Sequence, residues 1–201
     1  MLGLIGARPA CAAGADESAF PRFELTPFLG YRLAGTLGVL DSTATVHADD
    51  HTAYGAALSV RIDEDAQYGL FYSRQPTTVR SNLGRVGLNV EYIHLDGEFA
   101  HEYSPWVHPY VIGALGLTRL SVDAPGSNDG GFFSLALGGG LRIPVRAHID
   151  LRVETRAYLT FIEHNSSIFC ASGVSGGTCA LRGHGTTFVQ YDFLVGAAYT
   201  F

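Results

Sequence analysis

The chain has 201 residues, of which 47% are hydrophobic and only 16% are charged, and its formal net charge is −6. The charged fraction lies well below the roughly 25% of an average soluble domain, and the acidic balance gives no support to nucleic-acid binding, which needs a basic face. No apolar run reaches the roughly 18 residues of a membrane helix, so a membrane-spanning form would have to be a closed β-barrel.

The N-terminal residues are typical of an exported protein. Residues 1–7 are apolar, and Ala13 and Ala15 precede Asp16 in the small-residue pattern of a signal-peptide cleavage site. We therefore predict a signal peptide over residues 1–15, a short tail over residues 16–22 and one domain over residues 23–201. No basic residue precedes the apolar stretch, and one hypothesis is that the natural start codon lies further upstream.

The rest of the chain alternates apolar and polar side chains with a period of two, which is typical of β-strands and not of helices. Turn residues such as Gly, Asp, Ser and Pro separate the alternating segments. We predict eight strands, over residues 23–33, 52–62, 67–75, 85–95, 108–120, 132–143, 149–161 and 187–201.

Each predicted strand has one apolar face and one polar or small-residue face. The pattern is clearest in the seventh strand, where Val153 and Leu159 alternate with Arg152 and Glu154. Both sides of the fifth strand carry large apolar residues, so its faces stay unassigned. In the fourth strand we assign the apolar face to Val86, Leu88, Val90 and Tyr92 and the polar face to Gly87, Asn89 and Glu91.

The connections and the aromatic residues both favour a membrane barrel. Those after the second and sixth strands are short and those after the first, third, fifth and seventh are longer or Gly-rich, as in barrels with short periplasmic turns. The connection after the fourth strand departs from this rule. Aromatic rings, which favour membrane–water boundaries, fall toward strand ends at Phe23, Tyr31, Tyr54, Tyr68, Phe161, Tyr191 and Phe201.

The last strand carries the most specific motif. Gly196, Tyr199 and Phe201 resemble the C-terminal assembly signal of bacterial outer-membrane β-barrels, although Leu194 stands where a polar residue is usual. Together with the strand pattern and the stretch Gly-Leu-Phe-Tyr-Ser-Arg at residues 69–74, this ending makes the sequence similar to the small outer-membrane β-barrels, the OmpA/OmpW-like superfamily. The resemblance covers about residues 20–201 and rests on a diffuse pattern.

The resemblance implies an all-β fold, an eight-stranded antiparallel up-and-down transmembrane barrel in the outer membrane of a Gram-negative cell. It also implies that outer-membrane lipid and lipopolysaccharide surround the chain, and that the barrel assembly machinery recognises its C-terminal strand. We expect a monomer, no cofactor and no metal site.

In a barrel of eight strands, side chains just fill the interior. Buried charges must be paired, so the polar faces predict a salt-bridge network that plugs the lumen; a gated polar path for small solutes is the alternative. The predicted lumen residues are Glu24, Arg32, Arg61, Glu91, Arg142, Asp150, Arg152, Glu154, Arg156 and Asp192.

Cys170 and Cys179 lie nine residues apart in the loop before the last strand. Export to an oxidising compartment makes this pair a predicted disulfide. A metal site is the competing interpretation, but only His164 and His184 flank the pair.

The favoured function is a structural or surface-interaction protein of the outer membrane, and not an enzyme. Three alternatives stay open. One is a narrow OmpW-like channel for small solutes. The second is a lipid A-modifying barrel enzyme, because His164 and Ser166 resemble the His-x-Ser of lipid A deacylases, whose His activates the Ser. The third is a soluble periplasmic barrel that binds an apolar ligand.

Overall fold

The computed structural model describes residues 22–33, 36–38, 45–47, 51–63, 65–81, 84–100, 104–122, 130–162, 170–171, 178–179 and 187–201. Within them, eight long strands form one closed barrel. These strands are β1 (Arg22–Leu33), β2 (His51–Arg61), β3 (Ala66–Ser81), β4 (Gly84–Ala100), β5 (His108–Val122), β6 (Gly130–Arg146), β7 (Ile149–Phe161) and β8 (Thr187–Thr200). Two short ribbons lie between barrel strands, Thr36–Gly38 with Thr45–His47 and Cys170–Ala171 with Thr178–Cys179.

Each barrel strand pairs antiparallel with its neighbours in sequence, and β1 pairs with β8 to close the barrel. The predicted fold class, an eight-stranded antiparallel up-and-down barrel, is therefore confirmed. No helix in the described part of the chain is long and apolar enough to cross a membrane.

The two ends of the barrel differ. Residues 22 and 201 lie at one end, here called the terminal end, together with the described residues of three connections, 62–63, 65, 104–107 and 147–148. The opposite end, the loop end, carries the connections after β1, β3, β5 and β7. The prediction of a long connection after β3 is wrong, because β3 and β4 stay paired as far as Ser81 and Gly84. Backbone hydrogen bonding thus continues past the barrel wall as a two-stranded hairpin.

The outer surface of the barrel is a belt of exposed apolar side chains. Period-two alternation turns Leu25 and Leu29 of β1 outward while Glu24 and Arg32 point inward, and the other seven barrel strands also expose large apolar side chains. A soluble protein does not expose an apolar patch of this extent, so the belt argues against the soluble-barrel alternative.

Aromatic side chains border the belt at both ends, as in transmembrane barrels. The terminal-end girdle consists of Phe23, Tyr68, Phe99, Tyr199 and Phe201. The loop-end girdle consists of Tyr31, Tyr54, Tyr72, Phe133, Phe161 and Tyr191.

Phe201 contributes to the closure of the barrel between β1 and β8. Its N–H donates to the carbonyl of Phe23 at 2.9 Å, its carbonyl accepts from the Phe23 N–H at 3.3 Å, and the two rings stack 6.2 Å apart. Gly196 and Tyr199 lie on the same strand, opposite Phe28 and Leu25.

Deleting Phe201 removes both hydrogen bonds at this closure, and we expect several-fold less folded barrel in the outer membrane. Phe201→Ala keeps the two backbone bonds and separates the contribution of the ring, while Phe201→Tyr should behave like the native chain. The folded fraction can be measured from electrophoretic mobility without boiling. A deletion variant that inserts at the native level would contradict this role.

Candidate functional site in the barrel lumen

The interior of the barrel is divided into three levels. An apolar cap closes the loop end and consists of Leu88, Val90, Leu120, Phe132, Ile162 and Phe188. The upper polar layer below it consists of Arg32, Ser73, Tyr92, His94, Ser134, Tyr158, Gln190 and Asp192. The lower charged layer, toward the terminal end, consists of Glu24, Asp96, Glu98, Arg142, Asp150, Arg152, Glu154 and Arg156.

Two arginines and two glutamates form a closed ring in the lower charged layer. Arg142 donates to Glu24 at 2.5 Å and to Glu98 at 3.0 Å. Arg152 donates to the same two carboxylates, at 2.9 Å to Glu24 and 2.5 Å to Glu98. Because the four residues come from β1, β4, β6 and β7, the ring ties opposite walls of the barrel together.

The ring continues upward through Glu154 and Arg156. Glu154 accepts from Arg152 at 3.3 Å, from the Tyr110 hydroxyl at 2.9 Å and from the Nε of Arg156. Arg156 also pairs with Asp96 at 2.7 Å, and its guanidinium lies 3.7 Å from the centroid of the Phe71 ring. Charge-assisted hydrogen bonds of this kind are stronger than neutral ones, so the layer is held in one arrangement.

The upper polar layer is built on a fully buried ion pair. Arg32 donates to both carboxylate oxygens of Asp192, at 2.5 and 2.6 Å, and to the Ser73 hydroxyl at 2.6 Å. The rings of Tyr92 and Tyr158 stack 4.1 Å apart, and the Arg32 guanidinium lies over both, at 4.7 and 5.3 Å. The stack packs against the Arg32 side of the ion pair inside the lumen.

The structure brings the predicted lumen residues together inside the barrel, with one exception. Arg61 and Asp150 lie half-buried near the terminal end, where Asp150 pairs with Arg142 at 3.3 Å. Glu91 is the exception, because its side chain lies on the outer surface, where it accepts from the Tyr72 hydroxyl at 3.0 Å.

The predicted orientation of β4 is also wrong, because its apolar face at Val90 and Tyr92 points into the lumen and its polar face at Glu91 points outward. Val90 and Tyr92 are buried in the lumen, whereas Ile93 and Leu95 are exposed on the outer wall. The loop-end half of β4 passes beside the apolar cap, so its inward residues are apolar. Its outward residues in that half lie beyond the lipid-facing belt, so they are polar.

Several members of the network are not among the predicted lumen residues. Glu98, Asp96 and Tyr110 bind the predicted arginines. The fourth strand was predicted to end at residue 95, which left out Asp96 and Glu98, and Tyr110 lies on β5, whose faces were left open. The alternation Asp96-x-Glu98, two residues apart like Arg152 and Glu154, was the available signal.

A His–Ser contact lies in the upper polar layer. The Nε2 of His94 is 2.8 Å from the Ser134 hydroxyl, but both side chains are fully buried and the Nδ1 of His94 has no hydrogen-bond partner. A substrate has no access to this buried pair, and no carboxylate accepts from the Nδ1 of His94 to orient the imidazole. The pair therefore lacks what a catalytic triad requires. His164 and Ser166 lie outside the described residues, and the enzyme hypothesis on them stays a prediction.

Cys170 and Cys179 are backbone partners in the short ribbon between β7 and β8. The disulfide stays a prediction, for which thiol labelling before and after reduction is the measurement. No group of three or more His, Cys, Asp or Glu in the described part of the chain is arranged to hold a metal ion.

Little free space lies around the lower charged layer. A cavity of about 20 Å³ lies between Thr26, Phe28, Ala57 and Arg152. That volume holds about one water molecule.

The apolar belt, the two aromatic girdles and the closed antiparallel barrel together define a transmembrane β-barrel. No protein-family model and no curated protein sequence matches the chain.

Solved structures match it over nearly its whole length. Neisserial surface protein A has a TM-score of 0.64 and 16% identity, over 89% of this chain and 97% of that one. The outer membrane protein AlkL, solved in lipid bilayers, has a TM-score of 0.53 and 16% identity, over 98% and 97%. Outer membrane protein H of Pseudomonas aeruginosa has a TM-score of 0.51 and 14% identity, over 89% and 99%. The chain therefore has the fold of the small integral outer-membrane β-barrels, as the resemblance implied.

Proposed function

We propose that this chain is a closed, non-conducting barrel of the outer membrane with a structural or surface-interaction role, and not a channel or an enzyme. One observation carries the proposal: two polar layers and an apolar cap occupy the lumen along its length. Solutes could pass only if the ring of Arg142, Arg152, Glu24 and Glu98 and the Arg32–Asp192 pair both came apart.

The hairpin of β3 and β4 supports the surface-interaction part of the proposal. β3 pairs with β2 only as far as Arg74, but it continues to Ser81, about 20 Å further along the strand. Outer-membrane barrels keep short turns on the periplasmic side, which puts this hairpin outside the cell. A two-stranded ribbon that extends beyond the barrel wall is a surface that a partner can contact.

Conductance in planar lipid bilayers tests the closed lumen. The purified full chain is expected to show no steady conductance, whereas a variant with Arg32, Asp192, Arg142 and Glu24 all changed to alanine should conduct because it opens both polar layers. A variant with four outward residues changed to alanine, Leu25, Leu29, Tyr68 and Tyr199, is the matched control and should stay closed. Regular conductance steps from the native chain would favour the channel alternative and contradict the proposal.

A further inference from the structure

Three charged side chains form a row across the outer wall near the loop end. Arg74 of β3, Glu91 of β4 and Arg119 of β5 are direct register partners. The carboxylate of Glu91 lies 3.8 Å from Arg74 and 4.0 Å from Arg119. The side chains of the two arginines are 41% and 56% exposed, while that of Glu91 is 15% exposed. The row therefore presents two guanidinium groups outward with one carboxylate between them.

The row lies immediately beyond the lipid-facing belt. Two residues closer to the terminal end, the outward positions on the same strands are Tyr72, Ile93 and Leu117, all exposed. Arginine on the lipid face is destabilising at the bilayer midplane and tolerated near the interface. The change from apolar to charged residues thus marks the level of the lipid headgroups.

A groove lies on the same wall, closer to the terminal end. It has a volume of about 520 Å³ and runs between Tyr68, Leu95, Leu115 and Leu137. Its floor includes residues 96–97 and 113–114, and a Cβ atom placed on Gly113 would meet nothing within 4 Å. The absence of an outward side chain at Gly113 opens this groove in an otherwise leucine-rich wall.

The spacing between the row and the groove matches one membrane leaflet. Six residues of β4 separate Glu91 from Gly97, or about 20 Å along a strand. A strand tilt of about 40° reduces this to about 15 Å of depth, half of the roughly 30 Å hydrocarbon core. The groove therefore lies where an acyl chain ends if its headgroup is at the row.

We propose that this wall binds a phosphate-bearing, acylated lipid of the outer leaflet. The phosphate lies between the guanidinium groups of Arg74 and Arg119, and one acyl chain follows Ile93 and Leu117 down to the groove at Gly113. Guanidinium groups match phosphate oxygens in geometry and charge. The inference rests on the proposed orientation, with the loop end outside the cell.

The test is a titration of the detergent-purified full chain with lipid A and with dephosphorylated lipid A, followed by native mass spectrometry. Arg74→Gln with Arg119→Gln is expected to weaken binding of lipid A about 30-fold. Arg22→Gln with Arg146→Gln removes the same charge from exposed positions at the terminal end and should leave affinity unchanged. Glu91→Gln removes the competing carboxylate and should tighten binding, a gain that a purely structural Glu91 would not produce.

The groove has its own matched pair. Gly113→Leu fills the groove and is expected to weaken binding several-fold, whereas Ala197→Leu adds the same side chain to the exposed wall of β8 and should have no effect.

Equal affinity for dephosphorylated lipid A, equal losses in both arginine pairs, or full displacement by millimolar inorganic phosphate would each overturn the proposal. Electrophoresis without boiling reports in every variant whether the barrel is folded. The conductance of the native chain, measured separately, tests the proposal of a closed lumen independently of lipid binding.

Discussion

Arg32→Ala is expected to lower the free energy of unfolding by about 3–5 kcal/mol, because removing one partner of a buried ion pair leaves an uncompensated charge. The charge left behind is Asp192, which is fully buried and whose carboxylate oxygens lie 2.5 and 2.6 Å from Arg32. The same substitution takes away the hydrogen bond to Ser73 and the cation over the rings of Tyr92 and Tyr158. Equilibrium unfolding in urea, with the barrel in lipid vesicles, is the measurement.

Two controls separate the loss of the charge from the loss of the pair. Arg32→Met with Asp192→Leu removes both charges and should cost clearly less than Arg32→Ala. Arg119→Ala breaks an exposed pair with Glu91 and should change stability by less than about 1 kcal/mol. A loss for Arg32→Ala no larger than that of Arg119→Ala would contradict the role assigned to the pair.

Gly116→Val is expected to prevent β5 from pairing with β4 and to destabilise the barrel by about 3 kcal/mol or more. A Cβ atom at Gly116 would lie 2.0 Å from the carbonyl oxygen of Ile93 and 2.7 Å from the Cα atom of His94. Both are backbone atoms of the neighbouring strand, so they can move away only if the β4–β5 ladder breaks.

Gly113→Val is the matched control for this substitution. The two glycines lie three residues apart on β5, but a Cβ atom at Gly113 meets nothing within 4 Å. The control should fold at the native yield, and the Gly116 variant should show no compact band without boiling. Equal folded yields of the two variants would refute the close-approach argument.

The sequence predicts the fold best on the strands that have a polar layer of the lumen on one side and the lipid-facing belt on the other. On β1, β7 and β8, inward charges such as Glu24, Arg152 and Asp192 alternate with outward apolar residues, so period-two alternation alone indicates both the strand and its faces. The predicted bounds of these strands differ from the observed ones by at most one residue.

Period-two alternation does not assign the faces correctly where the environment on either side of the barrel wall changes along a strand. The loop-end half of β4 runs between the apolar cap and the headgroup level, so Val90 points inward and Glu91 outward, against the expected polarity. On β5, Ile112 and Leu115 are apolar on opposite faces, because one lies in the lumen and the other on the lipid side. Polarity can assign a face only when the two sides of the sheet differ, and here they do not.

The partners in the ion-pair network depend on distances across the barrel. Glu98 of β4 bridges Arg142 of β6 and Arg152 of β7, and neither pairing follows from separation along the chain. Closure and strand register decide which inward side chains meet, so the sequence indicated the arginines but not all of their carboxylates.

Electrophoretic mobility of the outer-membrane fraction, extracted in mild detergent and compared with and without boiling, tests the central claim most directly. We predict that the native chain is present in that fraction and migrates as a fast, compact band that shifts to the full apparent mass only after boiling. A chain found in the aqueous extract, or one whose mobility does not change on boiling, would contradict a closed barrel integral to the outer membrane.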